Sequence, residues 1–392
     1  MSASHLDWTM VPYVRKSFAK HFLDGIKYIS DNKTEYNKEE LYNTSIDNSL
    51  YKKQPKAYDY ALDMTTKEVQ QAAEGMFHNL NTLQSRSGNQ LPFTSINFGT
   101  CTLPEGRMVI QALLEASLNG VGKVHRTPVF PCSIFQCMKG VNRDPGDPNY
   151  DLFRLALKNT AKRLYPNYVN VDWSNNVGYD KNDPRTYCST MGCRTYNGAD
   201  INAEPGQNPQ LKDGRGNICP VTIILPTLAM EAKEQDGDIT DNFMNLLDRK
   251  IHEAKDMLLE RFEYICKQNP DSAKFMYENG TMFGYKPEEG IRSALIHGTL
   301  AVGQLGLAET LQILIGCDHT EPEGLALAEQ IEALFKQRCA EFKQEYHLNF
   351  GVYYSPAESL CGTAMDKFKA KYGEIPNVSD REYFTNSVHV PV

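Results

Sequence analysis

The length and composition of the chain indicate a globular protein with one large domain or two ordinary ones. It has 392 residues, 41% hydrophobic and 23% charged, and its 41 Lys and Arg residues against 49 Asp and Glu residues give a net charge of −8. This composition excludes a chain that is disordered throughout, and it does not favour a protein that coats nucleic acid. No apolar run approaches the ~18 residues of a membrane helix and no secretory leader is visible, so we expect a cytoplasmic protein without membrane contacts.

Amphipathic helices alternate with short apolar strands along the chain. The spacing of apolar residues predicts helices over 69–83, 243–265 and 326–342, the first of them preceded by a capping box that runs from Thr65 to Glu68. The predicted strands have the composition of strands buried on both faces, and they cover 93–98, 129–135, 168–173, 221–225 and 348–354. The alternation predicts an α/β fold with crossover connections, either an open sheet or a closed barrel.

A long polar segment interrupts this pattern and carries the most reactive candidate side chain. Residues 174–216 are rich in Asn, Asp, Gly, Pro and Thr, and unstructured loops longer than about 15 residues are usually functional or disordered. Within the segment, Gly192 lets the backbone turn tightly and leaves room for a substrate, and Arg194 places a cation beside the Cys193 thiol. As a nucleophile this thiol needs a base or a lowered pKa, whereas as a radical relay it needs a dry pocket. The residues alone leave both chemistries open.

The ten cysteines are expected to be thiols, because the chain is long and lacks a secretory signal. One alternative is a zinc site made by Cys132, Cys137, Cys188 and Cys193, although their spacing is looser than in usual structural sites. The sequence also lacks a dinucleotide-binding Gly-x-Gly-x-x-Gly, a P-loop, a His-Glu-x-x-His and a Gly-x-Ser-x-Gly. The corresponding classes of enzyme therefore have no support.

An ordered set of short blocks resembles the anaerobic, class III ribonucleoside-triphosphate reductase family. The blocks extend over almost the whole chain in the family's order, and they are Pro12-Tyr-Val-Arg-Lys-Ser-Phe18, Asn79-Leu-Asn-Thr82, Ser85-Arg-Ser-Gly88, Pro92-Phe-Thr-Ser-Ile-Asn97, Thr127-Pro-Val-Phe-Pro131, Met191-Gly-Cys-Arg-Thr195, Gly214-Arg-Gly-Asn217, His297-Gly298, Leu305-Gly-Leu-Ala-Glu309, Ser355-Pro-Ala-Glu-Ser359 and Tyr383-Phe-Thr-Asn-Ser-Val-His-Val-Pro391. Each block is weak alone, but the ordered set is specific.

The resemblance implies part of a ten-stranded α/β barrel of the glycyl-radical enzyme type, with a central finger loop. Residues 1–392 would form a single catalytic barrel region, and residues 174–216 would form the finger-loop region that carries Cys193. We expect the family's N-terminal effector cone and its C-terminal glycyl-radical and zinc domain to be absent from this sequence. We therefore expect a central portion of a longer enzyme that has no turnover alone, with zinc expected only in the missing C-terminal domain.

The resemblance also implies a reaction. In the family, a glycyl radical takes the hydrogen atom of the cysteine that matches Cys193, and the resulting thiyl radical takes the hydrogen atom from C3′ of a ribonucleoside triphosphate. The 2′-hydroxyl leaves as water, and formate or a thiol system supplies the electrons. Further implied partners are ATP or dNTP effectors, a radical S-adenosylmethionine activating enzyme and a second copy of the chain. No nucleic-acid partner is expected.

Further site residues follow from the same resemblance. Asn217 matches the family's active-site amide, although it also suits a turn after Gly-Arg-Gly. A segment that opens a predicted helix is expected to bind the triphosphate or simply to cap the helix, and its residues are Ser355, Pro356, Ala357 and Glu358. Ser95 and Asn97 are candidates for the barrel interior and, like Gly192 and Arg194, for contacts with the substrate. His297 is expected to be a hydrogen-bonded core residue.

Two other functions remain open at this stage. The first is a non-catalytic nucleotide-binding or assembly fragment that keeps the barrel, and the second is a zinc-stabilised interaction domain that uses the four cysteines named above.

Overall fold

The structure is a computed structural model, and it describes residues 2–31, 34–83, 91, 93–173, 178–192, 195–218, 220–357 and 359–387. The chain divides into two compact units. The first comprises Met1–Tyr196 with Gln210–Asp213, and the second comprises Asn197–Pro209 with Gly214–Val392. Among the helices of the described residues, none combines the length and apolar character needed to span a bilayer.

The first unit contains a four-stranded parallel sheet and seven α-helices in its described part. In chain order the elements are β1 (Ser2–Ala3), α1 (Leu6–Thr9), α2 (Val11–Tyr28), α3 (Lys38–Asn43), α4 (Ser49–Lys52), α5 (Pro55–Thr82), β2 (Ser95–Phe98), α6 (Pro104–Asn119), β3 (Cys132–Cys137), α7 (Tyr150–Arg163), β4 (Asn167–Asn170) and a 3₁₀ turn at Pro184–Thr186. The strand order is β1-β2-β3-β4. Parallel neighbours need crossover connections, which α6 and α7 provide between β2, β3 and β4.

One face of this sheet is apolar and packs against helices. Ile96 and Phe98 of β2 and Phe135 of β3 are buried in the same cluster as apolar side chains of α5, α6 and α7. A second cluster, which includes Phe18, Phe22 and Tyr51, joins α2 to α3, α4 and α5. Because side chains alternate along a strand, the residues between these apolar ones face the other side of the sheet.

The predicted start of the first helix is wrong. The capping box placed the start near Thr65, but α5 begins at Pro55 and Thr65 is buried within it. Proline is favoured at the first helical position, and Ala57, Ala61 and Thr65 continue one buried face, so the helix extends ten residues further upstream than the box. Gly25 of α2 explains the close packing there, since a Cβ at this position would lie 2.9 Å from the Ala57 Cα.

The second unit contains a three-stranded parallel sheet with the order β5-β6-β7. Its elements are β5 (Val221–Ile224), α8 (Leu225–Lys233), α9 (Ile239–Cys266), a 3₁₀ turn at Pro270–Ala273, α10 (Lys274–Glu278), α11 (Arg292–Leu295), β6 (Thr299–Leu305), α12 (Leu307–Ile315), α13 (Pro322–Tyr346), β7 (Asn349–Tyr354) and α14 (Ser359–Tyr372). Helices α8, α9, α12 and α13 share one apolar core with the sheet. Helix α14 packs in a separate cluster with Leu305 and Phe384.

The predicted α/β fold is confirmed, and the two parallel sheets are consistent with part of an α/β barrel. All five predicted strands occur, with ends shifted by up to three residues, and the helices predicted over 243–265 and 326–342 are α9 and α13. Strand β6 was missed although all seven of its residues are buried, because Gly303 and Gln304 interrupt its apolar run. Between positions 174 and 216 the described residues contain only the 3₁₀ turn at Pro184–Thr186 and an isolated bridge, as the composition predicted.

Candidate functional site

The second face of the first sheet is polar and buried. Ser95 and Asn97 of β2 alternate with the apolar residues of that strand, and they pair in register with Cys132 and Ile134 of β3. Gln136 continues the same face two residues further along β3. The exposed fraction of Ser95 is 2%, and that of Asn97 and Gln136 is 0%. Buried amides need hydrogen-bond partners, and here they find them in the polar loop.

The loop around Thr190 crosses this polar face. The Asn97 side chain accepts a hydrogen bond from the Thr190 backbone N–H at 3.0 Å and donates to the Thr190 carbonyl at 2.9 Å. Gln136 donates to the Cys188 carbonyl at 3.0 Å. Further along, the Met191 N–H donates to the Thr195 carbonyl at 2.8 Å, so the residues on either side of positions 192–194 are hydrogen-bonded to each other.

Gly192 lies against the sheet at the end of this crossing. A Cβ on Gly192 would lie 2.5 Å from Cε1 of Phe93 and 3.3 Å from Sγ of Cys132, so a larger residue would displace its neighbours. The space that the missing side chain of Gly192 leaves is therefore filled by Phe93 and Cys132 of the protein itself. A contact of Gly192 with substrate stays a prediction. Cys193, Arg194 and Glu358 lie outside the described residues.

The thiol nearest to the predicted radical site in the sequence is held protonated. Cys188 is 2% exposed, and burial raises the pKa of its thiol to about 11, with a smaller opposing effect from Lys212. A protonated buried thiol is a poor nucleophile and a poor metal ligand. No group of three or more His, Cys, Asp or Glu side chains among the described residues has the arrangement of a metal site. The alternative zinc site stays untested because it includes Cys193.

Asn217 lies at the edge of the second sheet, in the second unit. It forms a parallel bridge with Thr299, the first residue of β6, and the backbone of Thr299 bonds to Gly216 and Ile218 on either side. Its side-chain oxygen is buried and accepts no hydrogen bond from any described residue. A buried acceptor without a donor is costly, so a ligand hydroxyl would complete this site.

A buried polar network adjoins the Asn217 segment in the same unit. The Asp200 carboxylate accepts hydrogen bonds from His297 Nδ1 at 2.8 Å and from the Asn349 amide at 2.9 Å, and Arg215 Nε lies 3.8 Å away. Arg215 also donates to the His297 carbonyl at 2.8 Å. Burial opposes ionisation of Asp200, but the His297 and Asn349 hydrogen bonds and the Arg215 charge hold its pKa below the ordinary value. His297 is thus the hydrogen-bonded core residue that the sequence predicted.

The segment expected to bind phosphates lies at the opposite end of this sheet. Ser355 follows β7, its backbone N–H donates to the Gln304 carbonyl near the end of β6, and α14 begins at Ser359. The Ser355 hydroxyl accepts from the Ala357 N–H at 3.0 Å, and Ala357 has a φ of 55°. Pro356 lies between them and is partly buried. The segment thus precedes a helix as expected, and phosphate binding stays a prediction. At about 3.3 Å per residue, strand β6 separates Asn217 from Ser355 by roughly 20 Å.

A cavity of about 440 Å³ opens at the carboxyl ends of β6 and β7, next to this segment. Its lining includes Gln304, Tyr354, His319 and the first residues of α12, together with 385–387. Glu309 in α12 accepts hydrogen bonds from the backbone and hydroxyl of Thr385, and these bonds fix the C-terminal block against the helix. Ligands of open parallel sheets commonly bind at the carboxyl ends of strands.

Sequence reasoning missed several of these residues. Gln136 has a recognisable signal, because it is a polar residue in the otherwise apolar run of a buried strand. Asp200 had none, since its partners His297 and Asn349 are 97 and 149 residues away in the sequence. The structure brings Ser95, Asn97 and Gly192 together in the first unit. In the second unit it does not bring Asn217 together with the residues from Ser355 to Ala357.

Solved structures share this α/β fold. Two structures of the anaerobic ribonucleotide reductase from Thermotoga maritima, one with dATP bound in the specificity site and one in complex with dATP and CTP, each give a TM-score of 0.58. The first match covers 82% of this chain and 52% of that one at 16% identity. The second covers 98% and 59% at 15% identity. At such identities the likeness shows the fold alone.

The family follows from the sequence match. The family model described as anaerobic ribonucleoside-triphosphate reductase matches residues 1–392, and the chain belongs to this family, whose members are oxidoreductases. It is 31% identical to the anaerobic ribonucleoside-triphosphate reductase of Escherichia coli (strain K12) over 86% of this chain and 46% of that protein. It is 29% identical to the anaerobic ribonucleoside-triphosphate reductase of Enterobacteria phage T4 over 99% of this chain and 58% of that protein. The chain thus spans about half the length of the curated relatives it matches.

Proposed function

We propose that this chain provides the catalytic core for radical reduction of ribonucleoside triphosphates to 2′-deoxyribonucleoside triphosphates without oxygen. The observation that carries the proposal is the family match over residues 1–392, within which the Met191–Thr195 block follows a loop seated on a buried polar sheet face. Cys193 is the residue proposed to exchange a hydrogen atom with the ribose. Because the chain spans about half of its relatives' length, the whole reaction remains a proposal for it.

The environment of the loop favours hydrogen-atom chemistry over nucleophilic attack. A glycyl radical on another segment would supply the unpaired electron, and formate or a thiol would supply the reducing electrons. The donor cysteine must start as a neutral thiol, because only the S–H form has a hydrogen atom to give. Burial raises the pKa of the Cys188 thiol in the same loop to about 11, and a dry pocket at position 193 would meet the same requirement. Arg194, next in the sequence, would contact the substrate.

Asn217 is proposed to hold the sugar. Its buried side-chain oxygen has no donor among the described residues, and a ribose hydroxyl would provide one. The network of Asp200, His297 and Arg215 would hold the backbone that presents this amide. Ser95 remains a candidate for the substrate side of the first sheet, whereas the Asn97 amide is occupied by the loop.

The phosphate contacts are assigned separately. The N–H groups at the start of α14 and the adjacent cavity support phosphate binding by Ser355, Pro356, Ala357 and Glu358. This assignment does not depend on Asn217, since the length of β6 separates them. In addition to NTP substrates, we propose dATP or ATP as effectors, a radical S-adenosylmethionine activating enzyme, a homodimer and a cytoplasmic location.

The test combines the chain with a separately produced C-terminal region of a family member and its activating enzyme under strictly anaerobic conditions. Conversion of labelled CTP to dCTP is measured for the wild-type chain, for Cys193→Ala and for Cys317→Ala as a matched control, because Cys317 is a partly exposed thiol after α12. We expect product from the wild type and the control only. Product from Cys193→Ala would refute the role of that residue. Nucleotide binding without any reduction would instead favour the non-catalytic binding fragment.

A further inference from the structure

The polar loop is supported by two buried amides that also hold the N-terminal segment. Asn97 donates to the Ala3 carbonyl at 3.0 Å in addition to its two hydrogen bonds with Thr190. Gln136 donates to the Ser4 carbonyl at 3.4 Å in addition to the Cys188 carbonyl. Each amide therefore joins a residue of the N-terminal segment to a residue of the loop.

A third contact joins the same two segments directly. The Ser2 hydroxyl donates to the Thr190 carbonyl at 3.3 Å, so this carbonyl accepts from both Ser2 and Asn97. The backbone of Ser2 and Ala3 is fixed in turn by its parallel register with Ser95 and Ile96 of β2. The N-terminal segment is thus attached to the sheet on one side and to the loop on the other.

The loop also has contacts of its own. Across 187–192 they include the hydrogen bonds of the Tyr187 N–H with Pro184 and of the Met191 N–H with Thr195, and an antiparallel bridge between Thr190 and Tyr196. The contacts from the sheet face are spaced along its path, at Cys188, at Thr190 and at Gly192. These contacts attach the backbone of 188–192 to the sheet, whereas the Thr190–Tyr196 bridge joins the loop only to itself.

We propose that Ser2–Ser4, Asn97 and Gln136 form a loop support, a set of positioning residues that fixes the backbone of 188–192 and thereby the approach to Cys193. The proposal rests on the proposed function only in giving Cys193 a catalytic role. The positioning itself is a property of the chain in the absence of any nucleotide. Asn97 thus acts through the loop backbone and not by touching substrate.

Hydrogen exchange of the full chain, followed by mass spectrometry without nucleotide, tests the positioning directly. Replacing Asn97 with Ala removes the acceptor of the Thr190 N–H, and losing such a buried bond should speed exchange in peptides covering 187–192 by roughly tenfold to a hundredfold. Asn159→Ala is the matched control, because Asn159 is also a buried amide of the first unit and donates to the Leu114 carbonyl of α6 at 3.1 Å, away from the loop. The control should leave the 187–192 peptides unchanged.

Milder variants keep the test decisive if Asn97→Ala does not fold. Gln136→Leu keeps the size of the side chain and removes both of its bonds, and Ser2→Ala removes the direct contact, so each should speed exchange of the loop by about twofold to tenfold. Exchange that is unchanged in the folded variants, or raised equally by Asn159→Ala, would overturn the proposal.

Turnover of the complemented enzyme separates this proposal from the proposed function. If the support positions Cys193, Ser2→Ala and Gln136→Leu should lower kcat and leave the KM for CTP within about twofold, since they touch no substrate. A raised KM with unchanged kcat would contradict positioning. If no variant and no wild-type enzyme turns over, the proposed function fails, and the exchange results alone decide the loop support.

Discussion

Replacement of Asp200 should destabilise the protein far more than replacement of a surface carboxylate. Asp200 is 5% exposed and accepts hydrogen bonds from His297, from Asn349 and from the Asn202 backbone. Asp200→Ala leaves these donors and the buried Arg215 guanidinium without the carboxylate. Breaking a buried charge pair from one side costs about 3–5 kcal/mol of unfolding free energy. Asp200→Asn keeps the shape and one acceptor, so we expect a loss of about 1–3 kcal/mol.

The assay is urea unfolding at pH 7 followed by far-ultraviolet circular dichroism. The matched control is Glu278→Ala, which removes an exposed carboxylate 3.6 Å from Lys274 in the same unit and should cost less than about 1 kcal/mol. The pH dependence gives a second readout. The folded-state pKa of Asp200 lies below its ordinary value of 3.8, so its contribution is present above pH 4 and is lost as the pH falls through the folded pKa. A loss from Asp200→Ala no larger than that of Glu278→Ala would refute this reasoning.

Three other predictions concern a glycine pair, a buried carboxyl and a thiol. Gly303→Ala should lower the unfolding free energy by about 1–3 kcal/mol, because its Cβ would lie 2.8 Å from atoms of both neighbouring strands. Gly75 lies in helix α5 with open space around it, so Gly75→Ala should raise the unfolding free energy by up to about 1 kcal/mol in the same urea assay. Burial raises the folded-state pKa of Glu309 above its ordinary 4.5, so the contribution of Glu309 to the unfolding free energy is lost as the pH rises through that pKa. Between pH 5 and pH 8, the urea midpoint of the wild type should therefore fall relative to that of Glu309→Gln. A difference between the two midpoints that does not change with pH would contradict this. Iodoacetamide at pH 8 should label Cys317 well before Cys188, whose pKa of about 11 and burial protect it, and mass spectrometry of the labelled peptides would show the reverse order if the loop were open.

Local patterns predicted the elements that have uninterrupted periodicity. Helix α9 and strand β7 were found within four residues of their ends, because their apolar spacing is regular and polar turns bound them. Strand β6 was missed because Gly303 and Gln304 break its apolar run, and these two residues instead make contacts with other elements. The start of α5 was misplaced because a capping box is a local signal, and the packing of Ala57 on α2 overrides it.

The candidate site was predictable only where a block could be recognised. Asn217 came from such a block, and its buried oxygen, to which no described residue donates a hydrogen bond, supports its proposed role. The partners of Asp200 and the double contacts of Asn97 and Gln136 join positions about 50 to 150 residues apart in the sequence, and no periodicity encodes such a pairing. Those contacts depend on the register of the sheets, which a single sequence does not specify.

The register of β1 has a consequence for synthesis on the ribosome. Ser2 pairs with Ser95, and its hydroxyl donates to the Thr190 carbonyl, so residues 2–4 meet their last partner only after about 190 further residues have been synthesised. At about 5–20 residues per second, 190 residues take roughly 10–40 s. During about the first half of that interval, residues 2–4 have neither the neighbouring strand β2 nor the loop, and during the second half they still lack the loop. A chaperone that shields residues 2–4, or a slow codon before position 95, would therefore affect the yield of native protein more than the same intervention after position 196.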